Sequence, residues 1–117
     1  MSDRLIQYIV VRADLRASWP LGALIAQGAH AAVAAVAKTQ SNPETIAYLA
    51  DLESMTKCVL GIDGEEPLKS ISISLNNAGI AHHLWVEQPE NSAVALATAP
   101  ALKSAVSPFF RGLKLLK

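Results

Sequence analysis

The sequence SWPLGALIAQGAHAA, residues 18–32, decides the fold, because it predicts a long helix directly after an apolar strand. Pro20 suits the first helical position, where a missing N–H costs nothing, and Ser18 is placed to cap the helix. The small side chains of this stretch allow the helix backbone to pack close to a sheet. Gln27 and His30 are the only polar side chains that this stretch places inside the helix, and they share one face. That face is the first place to look for a functional site.

The composition is that of an ordinary globular chain. Its 117 residues suffice for one domain, residues 1–117, and no apolar run is long enough to span a bilayer. The N-terminus lacks the pattern of a signal peptide, so the expected location is the cytoplasm. The single cysteine, Cys58, excludes an internal disulfide, and its apolar neighbours predict a packing role. Because the formal net charge is zero, any contact with nucleic acid must come from a local patch.

Hydrophobic periodicity and helix-boundary signals divide the chain into strands and helices. Asn42 is expected to cap a second helix, and Asp63 with Glu66 has the spacing of a capping box for a third. Residues 70–75 also alternate like a strand, but Gly79 is placed just past a helix end, which favours the helix. The predicted strands are 5–11, 57–62, 81–86 and 92–98, and the predicted helices are 21–38, 43–55, 63–78 and a short one within 102–110.

The apolar positions of the second and third helices predict the faces that they bury. In the second helix these positions are Ile46, Leu49 and Leu52. In the third helix, helical spacing runs from Leu68 to Leu75. These two faces are expected to pack against the sheet.

The order of the elements implies an α/β sandwich with a mixed sheet. Right-handed crossovers place the first three strands parallel, and the short loop after the third makes the fourth antiparallel to it. The carboxyl ends of the three parallel strands then share one edge, where ligands bind in open α/β sheets. That edge collects Arg12, Asp14, the start of the long helix and residues 87–91.

Three segments resemble the type 2 peptidyl-tRNA hydrolase family in order and spacing: VVRADL at 10–15, AQGAHAA at 26–32 and KCVL at 57–60. The segment LWVEQPEN at 84–91 is similar to a divergent branch, the peptidyl-tRNA hydrolase domain-containing proteins. The resemblance covers nearly the whole chain and implies a three-layer α/β/α sandwich with a mixed, mostly parallel sheet of four strands. It also implies hydrolysis of the ester between a peptide and the 3′ end of tRNA, without metal or organic cofactor, by a protein that is often a homodimer.

The chain also departs from the family pattern. Typical members carry a lysine near the start of the first helix, where this chain has Ala23. After the third strand they have an Asp-x-Gly-Arg-Thr segment, and this chain has Glu87, Pro89, Glu90 and Asn91 at those positions. The site positions that match the family are Arg12, Asp14, Gln27 and His30.

The implied ester hydrolysis needs an activated water and donors for the developing oxyanion. Glu87 is the expected base, and His30, about two turns inside the helix, is a second candidate. Asn91 and the free N–H groups at the start of the helix are the expected oxyanion donors. The expected substrate contacts are Arg12 to a phosphate and Trp19 to the terminal bases, with Asp14 and Gln27 beside them.

These residues also have purely structural interpretations. His30 fits a packed imidazole, Gln27 a brace between loops and Glu87 a solvated residue at a strand end. Asp14 fits an ordinary partner for Arg12. These alternatives stay open at the level of sequence.

The predicted third strand places its two histidines on opposite faces of the sheet. His82 and His83 are adjacent, so they cannot hold one metal ion together, and no metal site is expected. Trp85 is expected to pack in the core or at its rim.

Two functions remain. The first is a hydrolase of peptidyl-tRNA or a related aminoacyl ester, with no membrane contact. The second is a non-catalytic module that binds tRNA or a protein, favoured by the alanine at position 23 and the missing Arg-Thr pair.

Overall fold

The computed structural model describes residues 3–117 and shows a mixed sheet between two layers of helices. Short 3₁₀ turns follow the first strand, the second helix and the last helix. The helices are α1 (Leu21–Ala37), α2 (Pro43–Ala50), α3 (Glu65–Asn77) and α4 (Lys103–Val106). The strands are β1 (Leu5–Arg12), β2 (Lys57–Ile62), β3 (His82–Glu87), β4 (Ser92–Thr98), β5 (Ala101–Leu102) and β6 (Lys114–Leu115).

The strand order is β3-β4-β1-β2-β6, with β5 paired to the start of β1. β1 and β2 are parallel, whereas β4 is antiparallel to both β1 and β3. β1, β2 and β3 therefore run in one direction, as predicted, and their carboxyl ends lie at one edge. The sheet has six strands rather than the predicted four, because two-residue strands extend the pairing of β1 and β2.

Each face of the sheet carries its own apolar core, which confirms the three-layer α/β/α arrangement. On one face α1 packs through Leu24 and a series of alanines onto Ile9 and Val11. On the other face the core joins α3, β1 and the segment after α4, with Leu68, Leu75, Tyr8, Val10 and Phe110 among its members.

Gly28 sets the close approach of α1 to the sheet. A Cβ atom at this position would lie 3.3 Å from Ile9 Cγ2 and 3.5 Å from Val11 Cγ2. Because Gly28 has no side chain, α1 can lie close to β1 at this point, and the adjacent Gln27 lies next to the sheet.

The helix starts differ from the predicted ones. Pro20 is the N-cap residue of α1 rather than its first residue, and the Ser18 hydroxyl donates to the Leu15 carbonyl instead of capping the helix. Gly64, with φ +127°, precedes α3, so Asp63 does not cap it. A residue in this left-handed region is most easily a glycine, which overrides the capping-box spacing.

The prediction that Gly79 lies just past the end of the third helix is confirmed. Gly79 has φ +71°, and the N–H of Ile80 donates to the Leu75 carbonyl at 2.9 Å. This is the hydrogen bond of a Schellman motif, with the apolar residue after the glycine as predicted.

The predicted inner face of α2 is wrong, and this helix is shorter than expected. It ends at Ala50, and Ile46 and Leu52 are exposed, at 56% and 62% of their surface. Thr45 and Tyr48 are buried instead, because the Thr45 hydroxyl pairs with Thr39 and the Tyr48 hydroxyl donates to the Thr56 carbonyl.

Candidate functional site

The carboxylate of Glu87 at the end of β3 is held from two sides. One oxygen accepts from Trp85 Nε1 at 3.2 Å, two residues earlier on the same face of the strand. The other accepts from Gln27 Nε2 of α1 at 3.4 Å. The polar face of α1 and the alternating face of β3 therefore meet at this carboxylate.

Gln27 combines deep burial with an unused acceptor. Only 5% of its surface is exposed. Because a carboxylate accepts hydrogen bonds, the amide nitrogen must face Glu87, and this fixes the side of the amide oxygen. Within residues 3–117 that oxygen, Oε1, is buried and has no hydrogen-bond partner. A buried acceptor without a donor is costly, so Gln27 Oε1 stands out among the polar atoms of residues 3–117.

The imidazole of His30 is exposed and stacks on Trp85. The ring centroids are 4.5 Å apart and the planes are inclined by 19°. The indole of Trp85 therefore lies between α1 and β3, with the imidazole of His30 stacked over it. The indole N–H donates to Glu87.

The ammonium group of Lys38 lies further along the space between α1 and β3. Lys38 Nζ is 3.2 Å from His83 Nδ1 and donates to the His82 carbonyl at 3.2 Å. Burial lowers the pKa of His83 below its usual value, and the charge of Lys38 lowers it further. His82 points the other way, with Nε2 2.7 Å from the Ser72 hydroxyl of α3, so the two histidines lie on opposite faces as predicted.

Arg12, at the end of β1, donates hydrogen bonds both to Asp14 and to the start of β4. Its Nε and Nη2 atoms donate to the two carboxylate oxygens of Asp14, at 3.2 and 2.7 Å. Its Nη1 atom donates to Ser92 Oγ at 3.0 Å and to the Ala93 carbonyl at 3.2 Å. These contacts use four of the five guanidinium N–H groups, so one on Nη2 remains. The hydrogen bonds from Arg12 hold the pKa of Asp14 below its usual value, and Asp14 raises the pKa of Arg12.

The two remaining predicted site residues are Asn91 and Trp19. Asn91, in the loop between β3 and β4, is exposed with φ +54°, and its Oδ1 accepts from Gln88 Nε2 at 3.3 Å. This contact leaves the side-chain NH₂ of Asn91 with donors to spare. Trp19 is half-buried and packs against the core beneath α1.

Five of the seven predicted site residues thus form two groups at one edge of the sheet, and Asn91 and Trp19 belong to neither group. Gln27, His30 and Glu87 meet around the indole of Trp85, and Arg12 and Asp14 form an ion pair bound to the start of β4.

Sequence reasoning missed two side chains of this edge. Glu65, in the first turn of α3, accepts the N–H of Ala93 through Oε2 at 2.7 Å. Ser92 accepts from Arg12. In the sequence Glu65 shows only the signal of an acid in a first helical turn, so nothing local indicates its contact with β4.

A separate apolar groove lies elsewhere on the protein. It has a volume of about 610 Å³ and runs between α1 and β2, on the side of α1 away from Glu87. Its lining includes Ile25, Val33, Leu49, Met55 and Val59, and none of the charged site residues takes part.

Residues 3–117 contain neither a metal-binding cluster nor a membrane-spanning helix. No group of three His, Cys, Asp or Glu side chains is arranged to hold a metal ion. Within the same range, no helix is long and apolar enough to cross a membrane.

Comparison with known proteins identifies the class. The sequence profile of the family described as "Peptidyl-tRNA hydrolase PTH2" matches residues 5–116. The chain therefore belongs to the peptidyl-tRNA hydrolase PTH2 family, which confirms the resemblance seen in its motifs.

Among individual proteins, the chain is similar to two mammalian ones named "Putative peptidyl-tRNA hydrolase PTRHD1". The protein of Mus musculus is 44% identical over 116 residues, which are 97% of this chain and 83% of the mouse protein. The protein of Homo sapiens is 43% identical over 116 residues, with the same coverage of 97% and 83%.

Proposed function

We propose that this protein hydrolyses the ester between a peptide, or an aminoacyl group, and the 3′ end of tRNA, in the cytoplasm. The observation that carries the proposal is the contact of the Glu87 carboxylate with Gln27 Nε2 at 3.4 Å, on an amide whose oxygen has no hydrogen-bond partner within residues 3–117. A water molecule that donates one hydrogen to Glu87 and the other to Gln27 would satisfy both acceptors. Such a water would be oriented and activated at once.

The proposed reaction begins with attack of this water on the ester carbonyl carbon. Glu87 removes a proton as the new C–O bond forms, and the carbonyl oxygen becomes an oxyanion. The bond to the ribose oxygen then breaks, and the proton passes from Glu87 to that oxygen. The products are a free carboxyl group on the peptide and a free hydroxyl on tRNA.

Donors for the oxyanion come from two places in this proposal. Asn91 offers its side-chain NH₂ from the loop next to Glu87. The first N–H groups of α1, near Leu21 and Gly22, begin about 9 Å along the helix axis from Gln27. In this proposal, the ester carbonyl accepts from one of these two sets of donors as the oxyanion forms.

The remaining contacts position the tRNA end. The free N–H of Arg12 is proposed to donate to a phosphate oxygen, with Asp14 holding the guanidinium in place. Trp19 is proposed to stack on an unpaired base. His30 is the second proton acceptor, since it lies one turn along α1 from Gln27 on the same face.

The test is release of peptide from an N-blocked aminoacyl-tRNA by the purified protein. Glu87→Gln should lower kcat by about a hundredfold to ten-thousandfold, as expected for loss of a general base. Glu90→Gln, in the exposed loop nearby, is the matched control and should retain the wild-type rate. Absence of turnover in the wild type, under conditions in which a typical family member is active, rejects the proposal.

A second function, binding without turnover, is favoured by Trp85, whose ring occupies the space between α1 and β3. It is also favoured by Ala23, which stands where typical members carry a lysine. This alternative predicts that tRNA binds with no release of peptide, and that Ala23→Lys restores measurable hydrolysis. Wild-type turnover that Glu87→Gln abolishes rejects it.

We also propose that the chain forms a homodimer through the apolar groove between α1 and β2. Ile25 and Val33 on this side of α1 are 63% and 69% exposed. Exposed apolar patches of this kind mark interaction sites, and a second copy would cover them symmetrically. Sedimentation at equilibrium should show a dimer that Val33→Asp converts to a monomer, and a monomeric wild type contradicts the proposal.

A further inference from the structure

Ala93, at the start of β4, has both of its backbone polar groups bound by charged side chains. Its N–H donates to Glu65 Oε2 at 2.7 Å, and its carbonyl accepts from Arg12 Nη1 at 3.2 Å. Glu65 comes from α3 and Arg12 from the end of β1. Ala93 itself is almost completely buried.

The strand pairing explains why this residue needs side-chain partners. Trp85 pairs with Ala95 and Val86 pairs with Ala93, so Val94 is an extra residue, and the register shifts between Trp85 and Val86. A β-bulge of this kind disrupts the ladder of backbone hydrogen bonds and bends the strand. The N–H of Ala93 therefore depends on the Glu65 carboxylate as its acceptor.

The bulge lies directly beside the candidate site. Ser92 pairs with Glu87, and Val86 pairs with Ala93, so one ladder step separates the bound peptide from the proposed base. Bulges next to active sites commonly re-aim a side chain. Here the bulge comes immediately after Trp85, whose indole N–H reaches Glu87.

We propose that Glu65 is a positioning residue: with Arg12 it fixes the bulged peptide at Ala93, and so sets the orientation of Glu87 and Trp85. An effect of Glu65 on the rate of hydrolysis rests on the proposed function. Its effect on the orientation of Glu87 and Trp85 does not depend on whether the protein hydrolyses the ester. The N–H of Ala93 lowers the pKa of Glu65, and the charges of Lys69 and Arg12 lower it further, so the carboxylate is ionised at neutral pH. An ionised acceptor makes the stronger hydrogen bond.

The test uses amide hydrogen exchange and proton NMR on the full chain. In Glu65→Ala the amide of Ala93 should exchange about tenfold to a hundredfold faster, the effect of losing a hydrogen bond to a charged group. The Trp85 indole N–H resonance should also shift, because Glu87 is no longer held in place. Glu65→Gln retains an oxygen acceptor, so it should lie between the wild type and Glu65→Ala in both measurements.

Glu66→Ala is the matched control, since Glu66 lies in the same helical turn, has a side chain that is 86% exposed and forms an ion pair with Lys69 at 3.8 Å. It should leave both signals unchanged. If Glu65→Ala gives wild-type exchange at Ala93 and an unshifted indole resonance, the proposal is overturned; should that variant fail to fold, unchanged signals in Glu65→Gln overturn it equally.

Hydrolysis gives a separate readout. Positioning predicts that Glu65→Ala lowers kcat with KM within twofold, and that Glu65→Gln recovers part of kcat. An equal loss in Glu66→Ala would contradict it. If the wild type does not hydrolyse the ester but the NMR changes occur, the proposed function fails and the positioning role of Glu65 stands.

Discussion

Arg12 donates to Ser92 Oγ at 3.0 Å, and this hydrogen bond joins the end of β1 to the start of β4. Ser92 is the cross-strand partner of Glu87. The guanidinium and the carboxylate therefore lie at the same edge of the sheet, one strand apart. This shared edge is the physical basis of both functions considered for the protein.

Trp85→Phe separates the two contacts of the indole. The phenyl ring should still stack on His30, but Glu87 loses the donor at 3.2 Å. Loss of a hydrogen bond to a charged group corresponds to about a tenfold to hundredfold decrease in kcat. Peptide-release assays of Trp85→Phe and of the control Glu90→Gln check this, and equal rates for Trp85→Phe and wild type contradict it.

Asp14→Asn removes the ion pair with Arg12 and should lower the free energy of unfolding by about 1 kcal/mol at pH 7, given the partial exposure of the pair. The folded-state pKa of Asp14 lies below its unfolded value, so the contribution of the carboxylate is complete above about pH 4. It is lost as the pH falls through the folded pKa. Urea unfolding should therefore show a difference between Asp14→Asn and wild type at pH 7 that shrinks towards pH 3.

The exposed Asp63 provides the control for this comparison. Asp63→Asn should show no pH-dependent difference of the same size. A constant difference between Asp14→Asn and wild type from pH 7 to pH 3 would show that the ion pair is not its source.

Gly28→Val tests the close packing of α1 on the sheet. The added methyl groups would press on Ile9 and Val11, which already lie 3.3 and 3.5 Å from the Cβ position. Overpacking of this kind costs about 1–3 kcal/mol, measured as a decrease in the free energy of unfolding. Gly22→Val is the matched control, because a Cβ there meets nothing within 4 Å. Equal stabilities of the two variants would contradict the packing argument.

Lys38→Met tests how the charge of Lys38 changes the pKa of His83, in the space between α1 and β3. Burial is the larger cause of the lowered pKa of His83, the charge of Lys38 is the second and His82 is the third. The pKa should therefore rise on substitution but stay below the usual value of 6.5. NMR titration of the His83 ring protons measures this pKa. The control variant Lys69→Met, on α3, should leave the pKa of His83 unchanged. A fall of the His83 pKa in Lys38→Met would contradict the expectation.

Local pattern predicted the faces of β3 but failed for α2. In β3 strict alternation placed Trp85 and Glu87 on one face, and the structure shows that this face meets α1. In α2 the apolar spacing of Ile46 and Leu52 marked a face that stays in solvent, because the helix docks through the polar atoms of Thr45 and Tyr48. Hydrophobic periodicity identifies an apolar face, but it does not show what covers that face.

The sequence by itself determined the order and type of the main elements, the direction of the first four strands and the family of the chain. These properties follow from periods and motifs that extend over a few residues. Only the tertiary structure decided which groups meet at the edge of the sheet. Gln27 and Glu87 are 60 positions apart, Arg12 and Ser92 are 80 apart, and Glu65 reaches Ala93 over 28. Contacts at such separations depend on how the layers pack, and no local pattern encodes them.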